Sequence, residues 1–155
     1  MSELKFDEKT LRAMYSTADP AFKAKLEQIF PEGLSLGNII DRTPTVEAAL
    51  AIAGKTIEGL TRPDDAPYET AKRIIEHTID VLLDGKVVDH SDSNQDKYEP
   101  RFIYKAGLGL RYYYCDYWLT ATGCGPRLCY LSYDTMVHGV KILEPYYITY
   151  LNSKL

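Results

Sequence analysis

The chain has 155 residues, of which 45% are hydrophobic and 26% charged, and its formal net charge is −4. This length and apolar fraction are typical of one compact domain that holds its core without disulfides or metals. No apolar run approaches the roughly 20 residues of a membrane-spanning helix, and the polar, acidic start MSELKFDEKT is unlike a signal peptide.

Charge and aromatic residues divide the chain into two unlike halves. Residues 1–98 carry 12 Lys+Arg against 18 Asp+Glu, whereas residues 99–155 carry 6 against 4. Eleven of the 13 tyrosines and the single tryptophan lie between Tyr98 and Tyr150. Tyrosine favours strands, and no Pro/Gly/Ser-rich linker separates the halves. We therefore predict one domain over 1–155, acidic and mostly helical in 1–85, with a loop, a Tyr-rich sheet and a helix in 86–155.

The N-terminal residues are predicted to form two short helices. Apolar residues recur at helical spacing in the first: Phe6, Leu11, Met14 and Tyr15. Pro20 suits the first turn of a second helix, which Pro31 and Gly33 would end.

Two further helices are predicted in the acidic half. Thr43 is the expected N-cap and Pro44 the first residue of a helix that ends at Gly54. The clearest pattern spans about 67–84 and ends at Gly85. Its apolar stripe consists of Ala71, Ile74, Ile75, Ile79 and Leu82.

The second half of the chain changes to strand-like composition. A polar connector over 86–100 precedes the segments 101–106 and 108–122, which are rich in β-branched and aromatic residues. Gly107 and Gly109 mark the reversal between them. A third short strand is predicted for RLCYL at 127–131.

The chain is predicted to close with a helix. Ser132 can cap its N-terminus, Asp134 suits its first turn, and Pro145 should kink or interrupt it. The prediction is therefore an α+β fold with N-terminal helices, a three-stranded antiparallel meander and a closing C-terminal helix.

The acidic loop resembles the opening of a calcium-binding loop, with Asp92, Asn94 and Asp96 in the first, third and fifth positions. Lys97 occupies the sixth position, where the loop needs Gly, and Ile103 the twelfth, where it needs Glu. Calcium binding of that type is rejected. The sequence instead predicts a solvated loop whose side chains close Asx-turns, with no metal and no cofactor.

Cysteine and histidine residues offer no recognisable catalytic pattern. The spacing of Cys115, Cys124 and Cys129 matches neither a redox pair nor a zinc site, and predicts reduced thiols in a cytoplasmic protein. No nucleophile elbow, phosphate-binding loop or zinc-protease motif is present. An enzyme built on Cys124, or on His90 with Asp92, remains the alternative to be excluded by experiment.

Alternation along the second strand predicts two aromatic faces. One would carry Leu110, Tyr112, Tyr114, Asp116 and Trp118; the other would carry Arg111, Tyr113, Cys115, Tyr117 and Leu119. Because both faces are aromatic, the pattern leaves open whether helices cover both or one face is left for a partner. A Tyr-rich core with its hydroxyls at the rim fits the same pattern.

Tyr, Trp and Arg are enriched at binding hot spots, which makes the hairpin and the acidic loop the candidate site. The residues selected are Arg111, Tyr113, Trp118, Arg127, Asn94 and Gln95. The expected ligand is a protein partner or a small molecule. A nucleotide or single-stranded nucleic acid would use the same residues, although the negative charge argues against general nucleic-acid binding. A structural subunit or homo-oligomer also fits the composition.

Three motifs occur in order along the chain: DRTPTVEAA at 41–49, SNQDKYEP at 93–100, and CDYW with GPRLCYLS between 115 and 132. They resemble a family of small uncharacterised proteins encoded by phages and mobile elements of gut Bacteroides and relatives, from about Leu4 to Leu151. The resemblance implies a similar layout of helices, loop, aromatic hairpin and closing helix. It also implies a setting in an infected cell or a virion, with a host or phage protein as partner, and no known activity.

Overall fold

The computed structural model describes residues 8–29, 38–119 and 128–152. Helices and one hairpin follow each other in these ranges: α1 (Glu8–Thr17), α2 (Pro20–Ile29), α3 (Ile39–Arg42), α4 (Val46–Ile52), α5 (Ile57–Leu60), α6 (Pro67–Leu82), β1 (Lys97–Lys105), β2 (Gly109–Trp118) and α7 (Tyr133–Leu151). Helices and an antiparallel hairpin are separate along the chain, so the fold is α+β, as predicted.

The two N-terminal helices form where the sequence predicts them. Helix α2 begins at Pro20, and the Asp19 carboxylate accepts a hydrogen bond from the backbone N–H of Phe22 at 2.9 Å. Phe6 and the predicted stop signals Pro31 and Gly33 lie outside the described residues.

The predicted cap of α4 is wrong by two residues. The buried Thr43 hydroxyl donates to the Ile39 carbonyl at 2.7 Å, at the end of α3. Thr45 is the N-cap instead, and its hydroxyl accepts the backbone N–H of Ala48 at 3.2 Å. The short helix α3, which sequence reasoning missed, uses the side chain that would otherwise cap α4.

Helix α6 forms the centre of the domain and confirms the clearest sequence prediction. It begins at Pro67, and Gly85, with φ of +79°, follows its last turn. Its predicted stripe is buried: Ala71, Ile74, Ile75, Ile79 and Leu82. This stripe packs against α4 on one side and α7 on the other.

A single ion pair holds the loop before α6. The Arg73 guanidinium donates to the Asp65 carboxylate at 2.7 Å and also to the carbonyl of Leu60. The hydrogen bond from Arg73 lowers the pKa of Asp65, and the Arg62 and Thr70 donors act in the same direction. The loop is thereby fixed to the first turns of α6.

Among the described residues, the sheet has two antiparallel strands, with pairing from Lys97–Trp118 to Lys105–Gly109. Gly107 and Gly109 have φ of +78° and +73°, which confirms the reversal predicted at these glycines.

The predicted third strand of the meander is wrong. Within the described residues, Tyr130 forms only an isolated bridge to Tyr98, with two backbone hydrogen bonds of 2.8 and 2.9 Å. The chain has no room to continue beside β1, because Ser132 already caps α7. The C-terminal helix therefore begins where a third strand would extend.

Strand β1 also begins earlier than predicted, at Lys97 and not after Pro100. Tyr98 directs its backbone N–H and C=O to Tyr130, away from β2. Because these groups alternate in direction along an antiparallel strand, the nitrogen of Pro100 also faces away from β2. The missing proline N–H costs the hairpin no bond, so Pro100 is accommodated inside β1.

Helix α7 closes the domain over α6 and the hairpin. Ser132 caps it by accepting the Thr135 N–H at 3.2 Å, as predicted, and Asp134 lies in its first turn. The helix is not interrupted at Pro145, contrary to one of the two expected outcomes. His138 Nε2 lies 2.7 Å from the Thr43 carbonyl, which links α7 to the end of α3.

A close contact in the core joins α7 to the segment before it. The buried Tyr130 ring packs over Gly139, and its hydroxyl lies 3.0 Å from the buried hydroxyl of Tyr147. A Cβ at Gly139 would come within 2.5 Å of Tyr130 Cε1 and Oη. Glycine at this position therefore allows the bridge to Tyr98 and the helix to pack together.

We predict that Gly139→Ala lowers the free energy of unfolding by up to about 2 kcal/mol. Alanine gains about 1 kcal/mol of helix propensity, but overpacking against Tyr130 costs roughly 1–3 kcal/mol. Urea unfolding followed by circular dichroism measures the difference, with the exposed Lys141→Ala on the same helix as control. A more stable Gly139→Ala protein would contradict this packing.

We predict that Thr78→Val stabilises the protein by about 1 kcal/mol, because the Thr78 hydroxyl is fully buried and has no hydrogen-bond partner in the structure as described. The same change at Thr70 should destabilise it, since the Thr70 hydroxyl donates to Asp65 at 3.2 Å. Thermal denaturation of both variants distinguishes the two signs. Equal shifts would show that the Thr78 hydroxyl is satisfied.

Candidate functional site: the outer face of the hairpin

A β-bulge in β2 decides which side chains share a face of the hairpin. Arg101 pairs with Tyr114, but the next residue, Phe102, pairs with Tyr112, so Tyr113 is an extra residue. The alternation of faces therefore shifts by one at Tyr113. The faces predicted from strict alternation are wrong in composition, because Tyr112 lies on the same face as Cys115.

The face that packs towards α7 is the inner face. Its β2 residues are Leu110, Tyr112, Cys115 and Tyr117. Phe102 lies 5.0 Å from the Tyr147 ring and 6.1 Å from the Tyr112 ring, measured between centroids. These contacts join the inner face to the core.

The opposite side of the hairpin, beyond Asp116, is largely open to solvent. We call this region the outer face; it consists of Arg101, Ile103, Arg111, Tyr113 and Tyr114. The Tyr113 and Tyr114 side chains are 58% and 47% exposed, and their rings meet edge to face with centroids 5.1 Å apart. Two large aromatic surfaces are therefore held on a strand and remain accessible.

Charge on the outer face is positive. Arg101 forms an ion pair with Asp116 in the hairpin, and the hydrogen bond to that carboxylate raises the pKa of Arg101. Arg111 is exposed, and its guanidinium donates to the carbonyl of Leu110 at 2.8 Å. Since Asp116 already balances Arg101, Arg111 and the nearby exposed Lys105 contribute net positive charge in a protein whose total is −4.

The acidic loop before β1 is organised by its own side chains. The Asp89 carboxylate accepts from the N–H and the hydroxyl of Ser91, at 2.8 and 2.6 Å, and these bonds lower the pKa of Asp89. Asp92 accepts the N–H of Asn94 at 2.8 Å. The predicted Asx-turns are confirmed.

The two candidate residues in this loop differ in their surroundings. Asn94 is exposed. Gln95 accepts the Asp89 N–H at 2.7 Å and donates to the Val87 carbonyl at 2.8 Å, so its amide closes the loop. Its polar groups are thus used inside the protein.

Lys97 fastens this loop to the hairpin. Its side chain is fully buried, and its ammonium donates to three backbone carbonyls: Asp92 at 3.0 Å, Gln95 at 2.7 Å and Leu119 at 2.6 Å. Every N–H of the ammonium therefore has an acceptor. The sequence gives no signal for this role, because a lysine beside an acidic loop is normally a solvated residue.

One of the remaining candidate residues, Trp118, lies apart from the outer face. Trp118 pairs with Lys97 at the opposite end of the hairpin, and its half-buried indole has no hydrogen-bond partner for Nε1 among the described residues. Arg127 lies outside the described residues, as does Cys124. Of the six candidates, the structure places Arg111 and Tyr113 together. Tyr114, their neighbour, was not selected because strict alternation assigned it to the other face.

A second group of tyrosines lies between the inner face and the start of α7. The Tyr98 ring contacts Tyr117 at 5.6 Å and Tyr133 at 6.4 Å, between centroids. The Tyr117 hydroxyl donates to Asp96 at 2.7 Å, which raises the pKa of Tyr117. Burial raises the pKa of Tyr98. The hydrogen bond and ring contacts fix this group in place.

Other chemistry finds little support among the described residues. They contain no cluster of three His, Cys, Asp or Glu side chains that could hold a metal. Cys129 is buried, and its thiol donates to the Glu99 carboxylate at 3.1 Å. A cleft of about 280 Å³ lies where the end of α6 meets the start of α7, lined in part by Lys86, Ser132 and Asp134. None of the five predicted site residues that the structure describes lines it.

No described helix combines the length and apolar character needed to cross a bilayer. Comparison with protein-family models, with curated proteins and with solved structures gives no significant match.

We predict that Lys97→Met lowers the free energy of unfolding by about 3 kcal/mol, because buried carbonyls lose a charged donor. Lys105→Met, at an exposed position of the same strand, should change stability by less than about 0.5 kcal/mol. Urea unfolding measures both. Equal stability of the two variants would mean that Lys97 does not fasten the loop.

Proposed function

We propose that this protein is a non-catalytic binding protein that holds a protein partner on the outer face of its hairpin. The observation that carries the proposal is the pair of exposed rings of Tyr113 and Tyr114 beside Arg111. The phage-type accessory setting implied by the sequence resemblance is part of the same proposal.

Aromatic side chains would supply most of the affinity. A tyrosine has few rotatable bonds, so it loses little entropy when a partner covers it. The edge-to-face contact between Tyr113 and Tyr114 restricts both rings before binding. Rigid Tyr and Arg residues at the centre of an interface are typical hot spots.

The charge of the outer face favours an acidic partner surface. Arg111 and Lys105 are exposed, whereas the chain as a whole carries −4. Complementary charge would orient a partner towards the hairpin and away from the acidic helices. Most of the affinity would come from the buried aromatic area, so binding should weaken only moderately as salt increases.

The alternative, a single-stranded nucleic-acid or nucleotide site, fits the geometry less well. Successive bases stack on exposed ring faces, but the planes of Tyr113 and Tyr114 meet at 88°. The edge of one ring therefore covers the face of the other. This arrangement favours a protein surface with an apolar cavity for the rings.

Photo-cross-linking in cells that produce the protein tests the proposal. A photoreactive amino acid replaces Tyr113 in one variant and Tyr68, a 39% exposed tyrosine on α6, in the control. We expect a discrete adduct with a protein other than this chain from position 113 only, lost when Arg111→Glu is added.

Each alternative predicts a different outcome of this experiment. An adduct that nuclease removes would identify a nucleic-acid ligand and overturn the proposal of a protein partner. The same adducts from positions 113 and 68, or none from position 113, would contradict a binding role for the outer face.

A further inference from the structure

The two outer edges of the hairpin differ. On β1, Tyr98 is paired with Tyr130, and Pro100 has no N–H to offer. On β2, the register and the alternation of the ladder direct the backbone N–H and C=O groups of four residues away from β1. These residues, whose side chains lie on the inner face, are Leu110, Tyr112, Cys115 and Tyr117. We call them the edge residues. No described strand pairs with this side of β2. An open edge of this kind is a template for pairing with another strand.

The bulge gives this edge a two-fold symmetric spacing. Edge residues normally recur at every second position of a strand. Leu110 and Tyr112 have this spacing, and so do Cys115 and Tyr117. The interval from Tyr112 to Cys115 contains one residue more, but the facing strand crosses the same distance in two residues, from Phe102 to Pro100. The four edge residues are therefore close to evenly spaced along the strand, and the bulge lies at their centre.

We propose that a second copy of this chain pairs antiparallel with β2 along this edge, with the two-fold axis at the bulge. In that register Tyr112 lies opposite Cys115 of the second copy, and Leu110 opposite its Tyr117. Every edge residue of one copy then lies opposite an edge residue of the other, so their backbone N–H and C=O groups can pair. The two hairpins form one four-stranded antiparallel sheet.

Side-chain charge supports a second copy as the occupant of this edge. The same register sets Arg111 opposite Asp116 of the second copy, twice, on the outer face. Both residues lie on that face only because the bulge shifts the alternation. Arg101 uses Oδ2 of Asp116. In the dimer, Arg111 leaves the Leu110 carbonyl to which it donates in the single chain and turns to the facing Asp116 carboxylate. That carbonyl is then free to accept the Tyr117 N–H of the second copy. An unrelated peptide would satisfy the backbone without this charge match.

Dimerisation extends the proposed function and does not depend on it. The bulge carries Tyr113 and Tyr114, so pairing would bring both copies of these residues together at the two-fold axis. The outer faces would then form one larger aromatic surface.

Analytical ultracentrifugation and amide hydrogen exchange by NMR, on the purified protein over a series of concentrations, test this inference. We expect a monomer–dimer equilibrium. As the dimer forms, the amides of Leu110, Tyr112, Cys115 and Tyr117 should become protected, whereas those of Arg111, Tyr114 and Asp116 are protected throughout. A monomer at every concentration, or a dimer whose four outward amides stay unprotected, would overturn the inference.

A charge reversal tests the register. Arg111→Glu would face Asp116 of the second copy at two symmetric positions, and should weaken dimerisation about tenfold. Lys105→Glu makes the same change of charge at the hairpin end and should leave dimerisation unchanged. Equal effects would contradict this register.

Partner binding has a separate readout. A monomeric protein that still cross-links to another protein from position 113 refutes the dimer alone. A dimer that gives no partner adduct refutes the proposed function alone.

Discussion

The arrangement of the second half of the molecule depends on the buried ammonium of Lys97. Its three carbonyl acceptors belong to the acidic loop and to the residue after β2. A buried charge is tolerated here because hydrogen bonds to three carbonyl dipoles satisfy the ammonium, and the charge of Lys97 also helps to lower the pKa of the nearby Asp89 carboxyl. The loop, the start of β1 and the end of β2 are therefore one unit. The base of the hairpin is fixed, and its outer end extends from that base.

Packing on the other side of β1 completes this support. Tyr130 bridges to Tyr98 through the backbone and fills the space over Gly139 in α7. Phe102 then reaches Tyr147 further along the same helix. Because α7 supports only the inner face, the opposite face is left uncovered beyond Asp116. Support from one side is what makes Tyr113 and Tyr114 accessible while their strand stays ordered.

The bulge at Tyr113 links the two proposals. It sets Arg111 on the same face as Tyr114 and Asp116, which creates the aromatic and basic outer face. It also gives the open edge of β2 the spacing that a two-fold related copy would match. Bulges usually protect an edge by disturbing its ladder. A bulge at the centre of the strand differs in this respect, because Leu110, Tyr112, Cys115 and Tyr117 keep the same sequence of intervals when counted from either end.

Features that depend only on neighbouring residues could be predicted from the amino-acid sequence. Apolar spacing located α6 and its buried stripe, Ser132 marked the start of α7, and Gly107 with Gly109 marked the hairpin turn. The faces of the hairpin, the number of strands and the burial of Lys97 depend on contacts between distant segments. Strict alternation misassigned the faces, since one extra residue among three consecutive tyrosines leaves no trace in composition. The third strand was lost because α7 begins at once after Tyr130. Lys97 is buried because carbonyls from two distant segments meet around it, and no local pattern encodes that meeting.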